Sequence, residues 1–364
     1  MFKLNPNELE KTRLLFAALI PYHLAVESIL AGLSPAIVYV DDAAEPETAV
    51  TRINHRLFLG GKPAVTPELT ALLTETIPAQ SRAEERDSFI VYAAPEWDAI
   101  MDGLFGGKQP IRRQRQYLEL DGRQFANQSN LSDGYRLHPV DAALLSQTHL
   151  QKLAGMKEEM VSERPSIVDF LAKSFGCCVI HKDEIVGWCM SEYNCGPRCE
   201  IGIATDPAHQ RKGLALATAT AVIQHARTQG IHQIGWHCWT DNAPSSAVAR
   251  KLGFRLIEVT IAYPFFFDDV IHLGVQGNLC FMAQDYGQAA DWYEQAGKVD
   301  NAPIWLHWNA ACANVYVGRE TAVFHHLNQA IAAGFDDWER LHNAPHLDPI
   351  RETAVWQTFI RQVP

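Results

Sequence analysis

Basic side chains are scarce in this sequence. Its 364 residues carry 31 Lys and Arg against 42 Asp and Glu, a formal net charge of −11 at pH 7. That balance argues against a nucleic-acid-binding surface. It is compatible with a cationic amine substrate, although an acidic surface also serves solubility. Long uninterrupted apolar runs are lacking as well. Leu14 to Leu33 is fairly apolar, but Pro21, His23 and Glu27 interrupt it. It reads as an amphipathic core helix closed by Gly32 and Pro35, not as a membrane span. No secretory signal is evident, so a cytoplasmic location is expected and the eight cysteines are expected to be reduced. Five of them, Cys177, Cys178, Cys189, Cys195 and Cys199, lie near one another, but their spacing fits no zinc pattern and no His pair completes one. They read as small apolar side chains on strands and a hairpin tip, and no metal is expected. The remaining composition is ordinary, 47% hydrophobic and 20% charged, and the length suffices for two or three domains.

The first segment, residues 1–130, alternates helical and extended patterns. Asn7 to Ala31 shows helical spacing of apolar residues. Pro35 to Asp41 and Ala49 to Leu59 read as strands ending at Gly60-Gly61, Pro67 to Thr76 as a helix with Pro in its first turn, and Ser88 to Tyr92 as a strand. A short helix, Pro95 to Leu104, and a strand, Arg112 to Leu120, complete it. Residues 121–131, polar and with Gly, Asn and Ser, read as a linker.

In the second segment, 131–267, a strand (Gly134 to Pro139) precedes two helices capped by Asp141 and Ser166. Three strands follow: Gly176 to His181, Ile185 to Tyr193 and Cys199 to Thr205. Leu214 to Gln229 is a helix closed by Gly230, His232 to Trp239 a strand, Pro244 to Leu252 a helix, and Phe254 to Tyr263 a last strand. The chemistry concentrates in residues 198–255. A strand ends at Thr205-Asp206-Pro207, and Gln210-Arg211-Lys212-Gly213-Leu214-Ala215 then opens the helix. A small residue at 213 lets backbone approach a ligand closely, and the N–H groups of a helix start favour an anion such as a diphosphate.

The Gln-x-x-Gly-x-Ala pattern after Thr-Asp-Pro, with Asn242-x-x-Ser245 and Lys251-Leu252-Gly253-Phe254 in order behind it, resembles the acetyl-CoA signature of the GNAT N-acetyltransferases. The resemblance covers about 133–265 and implies an α/β fold with a mixed sheet. It also implies acetyl-CoA as co-substrate and transfer of acetyl to a primary amine of a small molecule or protein. By the same resemblance, Gln210, Arg211, Lys212, Gly213, Leu214 and Ala215 would hold the diphosphate, and Ile203, Ala204 and Thr205 would pair with the pantetheine arm. Asn242 and Ser245 would reach the cofactor from the next strand–helix junction. Glu200 is the candidate catalytic base, on the expectation that partial burial raises its pKa. Glu192 and His237 are the other candidates. Many relatives carry a Tyr acid seven positions after the Asn, where this chain has Ala249. Tyr193, Tyr263, His209 or water would then serve, or the thiolate leaves unassisted. The first segment echoes the second half of such a core without the Gln-x-x-Gly loop, and is either a degenerate half of a tandem pair or an unrelated α/β cap.

The third segment, 268–364, is expected to be all-α. Gly277, Ala289, Tyr293 and Ala296 recur as Ala311, Val323, Leu327 and Ala330, each offset by 34 residues, the tetratricopeptide period. Two repeats are few, so the module is expected to pack on the acetyltransferase unit or on a second chain. Trp292, Trp305, Trp308, Trp338 and Trp356 read as core. A different class of function, a non-catalytic CoA-binding protein that recruits a partner through the repeats, is the alternative.

Overall fold

The computed structural model describes residues 1–126, 131–298 and 302–363. Residues 127–130 of the expected linker therefore lie outside the described residues. Two compact units result, Met1–Pro264 and Phe265–Pro364.

The first unit is built on one sheet of twelve strands among the described residues. They are β1 (Phe2–Lys3), β2 (Ile37–Val40), β3 (Thr48–Ile53), β4 (Arg56–Gly61), β5 (Ser88–Ala93), β6 (Arg113–Asp121), β7 (Tyr135–Pro139), β8 (Gly176–His181), β9 (Glu184–Cys195), β10 (Arg198–Thr205), β11 (Gln233–Trp239) and β12 (Arg255–Phe266). Their spatial order is β1-β2-β3-β4-β5-β12-β6-β11-β10-β9-β8-β7. This order reads the same from either edge. Each strand of the first six has a counterpart six strands later. β4 runs parallel to β5 as β10 does to β11, and the pairs outside them are antiparallel on both sides. The sixth strands are exchanged: β12 sits beside β5, and β6 lies antiparallel between β11 and β12.

Helices cover both faces. α1 (Leu24–Leu30) packs with β2, β3 and β4 through Leu24, Ile29, Val38, Val40 and Phe58. The β4–β5 crossover holds α2 (Pro67–Ala71), a π turn and α3 (Ile77–Ala83), and α4 (Met101–Leu104) follows β5. Next come α5 (Ala142–Leu145), α6 (Leu153–Ser162) and α7 (Ile167–Lys173); the last two bury Met156, Met160 and Phe170 against Cys178, Ile185 and Met190. On the opposite face α8 (Leu214–Thr228) and α9 (Ala243–Leu252) set Val222, Ile223 and Leu252 against Leu118, Ile201, Ile234 and Trp236. Asp141 and Ser166 cap α5 and α7 by accepting from the N–H of Leu144 and Asp169.

Three local expectations are corrected. The helix expected over Leu14 to Leu33 is instead a 3-10 turn (Pro6–Thr12), a run of turns and the short α1. Pro21 lacks an N–H and disfavours helix in the residue before it. The strand expected over Ala49 to Leu59 is two strands joined at Asn54, whose φ of 50° makes the tight turn. And α6, unassigned in the sequence, stands between the two expected helices.

The second unit contains α10 (Asp269–Met282), α11 (Tyr286–Ala296), α12 (Ile304–Tyr316), α13 (Glu320–Ala332), α14 (Trp338–Asn343) and α15 (Ala354–Ile360). Gly277 lies under the Tyr293 ring, where a Cβ would come within 2.5 Å of it. Ala289, Ala296, Ala311, Val323, Leu327 and Ala330 are all buried. Trp305, Trp308, Trp338 and Trp356 pack into its two apolar clusters, and Trp292 is half-buried.

In the first half the end of β4 is closed over by the chain's own N-terminal segment. Gly61 N–H donates to Leu15 O at 2.8 Å, and a Cβ on Gly60 would sit 2.5 Å from the Phe16 ring and 2.7 Å from Leu15 O. Gly60→Ala is therefore expected to destabilise the protein by about 1–3 kcal/mol, read as a lowered Tm in thermal unfolding. A Tm equal to that of the parent would show that residues 12–22 do not pack there.

Candidate functional site

β10 and β11 are paired only at their start. The parallel ladder runs Arg198↔Gln233, Cys199↔Ile234 and Glu200↔Gly235, and stops. On its other side β10 stays paired with β9 to Thr205, but the register shifts between Glu200 and Ile201. A bulge at that point bends the strand. The two strands part beyond it, and a cleft of about 230 Å³ opens between them. Ile201 to Ile203 line it from β10, and Trp236 to Trp239 from β11. Asn242 and Ser245 line it from the start of α9, Arg115 from β6, Glu192 from β9 and Glu159 from α6.

The backbone ahead of α8 is shaped as a cradle. Arg211 has φ 62° and Gly213 φ 78°, two left-handed residues flanking Lys212, and the helix begins at Leu214. Such a turn aims successive N–H groups into one concavity. A Cβ at Gly213 would meet nothing within 4 Å, so the space there is open. Leu214 turns its side chain into the core against Val179 and Val186, and so anchors the helix start. The side chain of Gln210 donates to Thr205 O at 3.4 Å, tying the loop to the strand end. Lys212 donates to Tyr135 Oη at 3.0 Å, and Arg211 has no side-chain partner among the described residues. Asn242 Oδ1 accepts from Ser245 N–H at 3.1 Å as the α9 cap, and Ser245 Oγ accepts from Trp236 Nε1 at 3.0 Å. The structure thus gathers Ile203, Asn242 and Ser245 at the cleft, Ala204 and Thr205 on the last residues of the parted strand, and Gln210 to Ala215 at the adjoining helix start.

Glu200 is 3% exposed. Its carboxylate accepts from Leu24 N–H at 2.6 Å and lies 3.5 Å from His237 Nε2. Burial pushes its pKa up, but His237, Arg56 and the Leu24 N–H outweigh burial, and the carboxyl sits below its ordinary value. This corrects the expectation of a raised pKa. Gly235 makes the arrangement sterically possible, since a Cβ there would crowd Glu200 Cγ at 3.1 Å and Tyr117 at 2.9 Å. The His237 ring is stacked on His23 with centroids 5.1 Å apart and tilted against Tyr117 at 4.9 Å. Its side chain is 9% exposed and, among the described residues, neither ring nitrogen makes a hydrogen bond, although the ring lines the cleft.

Beside it lies a buried charge cluster. Arg56 of β4 pairs with Glu163 at 2.6 Å and with Glu192 at 3.0 Å. Tyr193 donates its hydroxyl to Glu163. Burial pushes Glu192 up against the pull of Arg56, and it pushes Glu159 up with help from Glu192 and Glu163. The three side chains considered for the missing acid are engaged elsewhere. Tyr193 is fully buried, Tyr263 donates to Asp98 at 2.8 Å, and His209 bonds Tyr135 Oη at 2.9 Å. None of them lines the cleft. Ala249 is buried in the apolar cluster under α8 and α9. Glu159, on the unassigned α6, and Arg115 line the cleft without having been expected there. For α6 the spacing of Leu153, Met156 and Met160 was the available signal.

A family model described as GNAT acetyltransferase matches residues 16–263. The chain is 25% identical over 241 residues to an uncharacterised N-acetyltransferase, YdfB, of Bacillus subtilis, across 65% of this chain and 89% of that protein. Over 61 residues it is 39% identical to a mycothiol acetyltransferase of Saccharomonospora viridis, across 17% of this chain and 20% of that one. Among solved structures, a GCN5-related N-acetyltransferase-like protein from Streptococcus suis superposes with a TM-score of 0.54 at 19% identity, covering 71% of this chain and 99% of that one, a likeness of fold. The family match runs through both halves of the twelve-stranded sheet and through the parted strands and the cradle, and this chain belongs to the GNAT acetyltransferase family.

Proposed function

We propose that the chain is an acetyl-CoA-dependent N-acetyltransferase that acts by direct transfer to an amine held in the cleft. The observation that carries this is the parting of β10 and β11 beside the left-handed loop that opens α8. The loop N–H groups and the positive end of α8 would take the diphosphate, with Arg211 free to reach it. Beyond Glu200 the edge of β10 facing β11 has no strand partner among the described residues, which suits Ile203, Ala204 and Thr205 to main-chain pairing with the pantetheine arm. Acetyl-CoA supplies an activated thioester.

Within the cleft, His237 is the better-placed base. Glu200 stays ionised and lies 3.5 Å from Nε2, a contact that orients the imidazole, and Nδ1 has no hydrogen-bond partner among the described residues. Glu200 is thus a positioning residue for His237 rather than the proton acceptor. The ammonium of the acceptor gives one proton to His237 and then attacks the thioester carbon. The C–N bond forms as the C–S bond breaks, and the electron pair leaves with sulfur. The second ammonium proton passes to water as the C–N bond forms and water returns one to sulfur, the amide keeps the third hydrogen, and the proton on His237 passes to solvent. With Ala249 buried, no side chain at that position assists sulfur, and water supplies its proton.

The mirrored strand order supports reading the first six strands as a degenerate second copy of the fold, with its strand end closed by Leu15 and Phe16 instead of left open. The 34-residue recurrence and the close seat of Gly277 under Tyr293 support a tetratricopeptide-like helical pair in the second unit, a surface for a partner or for self-association.

Gly213→Asp is expected to weaken acetyl-CoA binding at least about 100-fold in calorimetry while the fold, read by circular dichroism, persists, because it fills the cradle and adds negative charge. Retained affinity would place the cofactor elsewhere. His237→Ala should lower kcat by about 10²–10³-fold, and Glu200→Gln by at least about tenfold, each with acetyl-CoA affinity unchanged. A full kcat in His237→Ala would remove it as the base. Acetyl-CoA binding without thiol release on any amine would favour the non-catalytic alternative.

A further inference from the structure

The cleft carries both signs of charge on facing walls and leaves them apart. On one wall Glu192 shares the Arg56 guanidinium with Glu163, while the Glu159 carboxylate has no hydrogen bond or ion pair among the described residues. Two carboxyl groups, Glu192 and Glu159, thus line this wall, and only Glu192 is paired with the guanidinium. On the other wall Arg115 projects from β6. Its guanidinium carbon lies 5.0 Å from the centroid of the Trp239 ring and 5.9 Å from that of Tyr92. Its Nε is buried with no hydrogen-bond partner, and no ion pair joins it to any carboxylate among the described residues. Two aromatic faces hold the guanidinium in place without neutralising it. Between the two walls sits His237, nine-tenths buried, its Nε2 3.5 Å from the Glu200 carboxylate and its Nδ1 without a hydrogen-bond partner among the described residues. Unpaired charges so placed are costly unless a ligand completes them. The cleft volume of about 230 Å³ is below the ~300 Å³ at which drug-sized sites begin, so the ligand group it receives is small.

We propose that the acceptor is a zwitterion, a free α-amino acid, whose ammonium is received by Glu159 and Glu192 and whose carboxylate is received by Arg115. This places its nitrogen beside His237, which takes the proton before attack. A planar guanidinium is suited to a carboxylate in two-pronged fashion, which a monoamine lacking that group cannot use. The product is the N-acetyl amino acid and the free thiol. The inference rests on the reading of the cleft as an acetyl-transfer site.

The test pairs each of the twenty protein amino acids with the amine left by removing its α-carboxyl group. Binding to the full chain saturated with coenzyme A is measured by calorimetry, and turnover by thiol release from acetyl-CoA. One amino acid or a small chemically related group is expected to exceed its matching amine by about 30-fold or more in affinity and in kcat/KM. Arg115→Ala should shrink that ratio to within about threefold, and Arg115→Lys should restore part of it. Glu159→Gln should raise KM for the amino acid with a smaller change in kcat. Thermal melting of each variant separates loss of binding from loss of fold. Matching amines that bind as well as the amino acids, no amino acid that binds, or a ratio unchanged in Arg115→Ala would each overturn the proposal. Failure of acetyl-CoA itself to bind would instead overturn the cofactor reading, and the amino-acid binding measured without coenzyme would still decide this one.

Discussion

The exchange of β6 and β12 at the centre of the sheet is the constraint on which the rest of the first unit depends. β10 leaves β11 after Gly235, so from Trp236 onward β11 keeps a ladder partner only on its other edge. That partner is β6, through Trp236↔Leu118, His237↔Tyr117, Cys238↔Gln116 and Trp239↔Arg115. Two strands can part and leave a cleft only where each is held from behind. For β10 the holder is β9, and for β11 it is a strand contributed by the other half of the unit. The same exchange delivers Arg115 to the cleft and sets Tyr117 against the His237 ring. A strand lost from this position would free half the backbone groups of β11 and leave the cleft wall without support.

The first half contributes charge as well as backbone. Arg56 crosses to Glu163 and Glu192, Leu24 N–H reaches Glu200, and His23 stacks on His237. His23 is held well below its ordinary pKa by burial first, and then by His237, Arg115 and Arg56, so it stays neutral against the His237 ring. Glu200 shows the complementary logic. Its folded pKa is depressed, so the stability it contributes is present above the ordinary carboxylate range and is lost as pH falls through the folded value. A buried carboxylate that stays charged is a poor proton acceptor and a good orienting group. That is why burial alone misleads about which residue carries a proton: the neighbours decide the sign.

Much of this was legible in the chain. The Gln-x-x-Gly-x-Ala loop, the strand before it and the Asn242 and Ser245 junction depend on local requirements: a residue free to take positive φ, a helix start, a cap. Such requirements are written within a few residues. The strands β7 to β12 were legible for the same reason, since apolar alternation and Gly or Pro boundaries are local signals. The failures are non-local or arise from a single residue. Pro21 cut a helix that the apolar spacing alone supported, and Asn54 split one strand into two. α6 went unassigned although Leu153, Met156 and Met160 sit on one face, and Glu159 went with it. Arg115 had no motif at all, because its place at the cleft comes from lying on the strand beside β11.

By itself the sequence determined the cradle, the capping chemistry, the order of elements in the second half of the sheet and the 34-residue recurrence near the C-terminus. Each is a property of neighbouring residues and their backbone preferences. Only the tertiary structure decided that two sixfold sets of strands form one sheet with their last members exchanged, that Glu200 is held charged against His237, and that Arg115 and Glu159 face one cleft without meeting. Those outcomes rest on pairings between residues dozens to more than a hundred positions apart, where no local spacing carries the information and the energy of burial and charge is settled only once the chain has closed on itself.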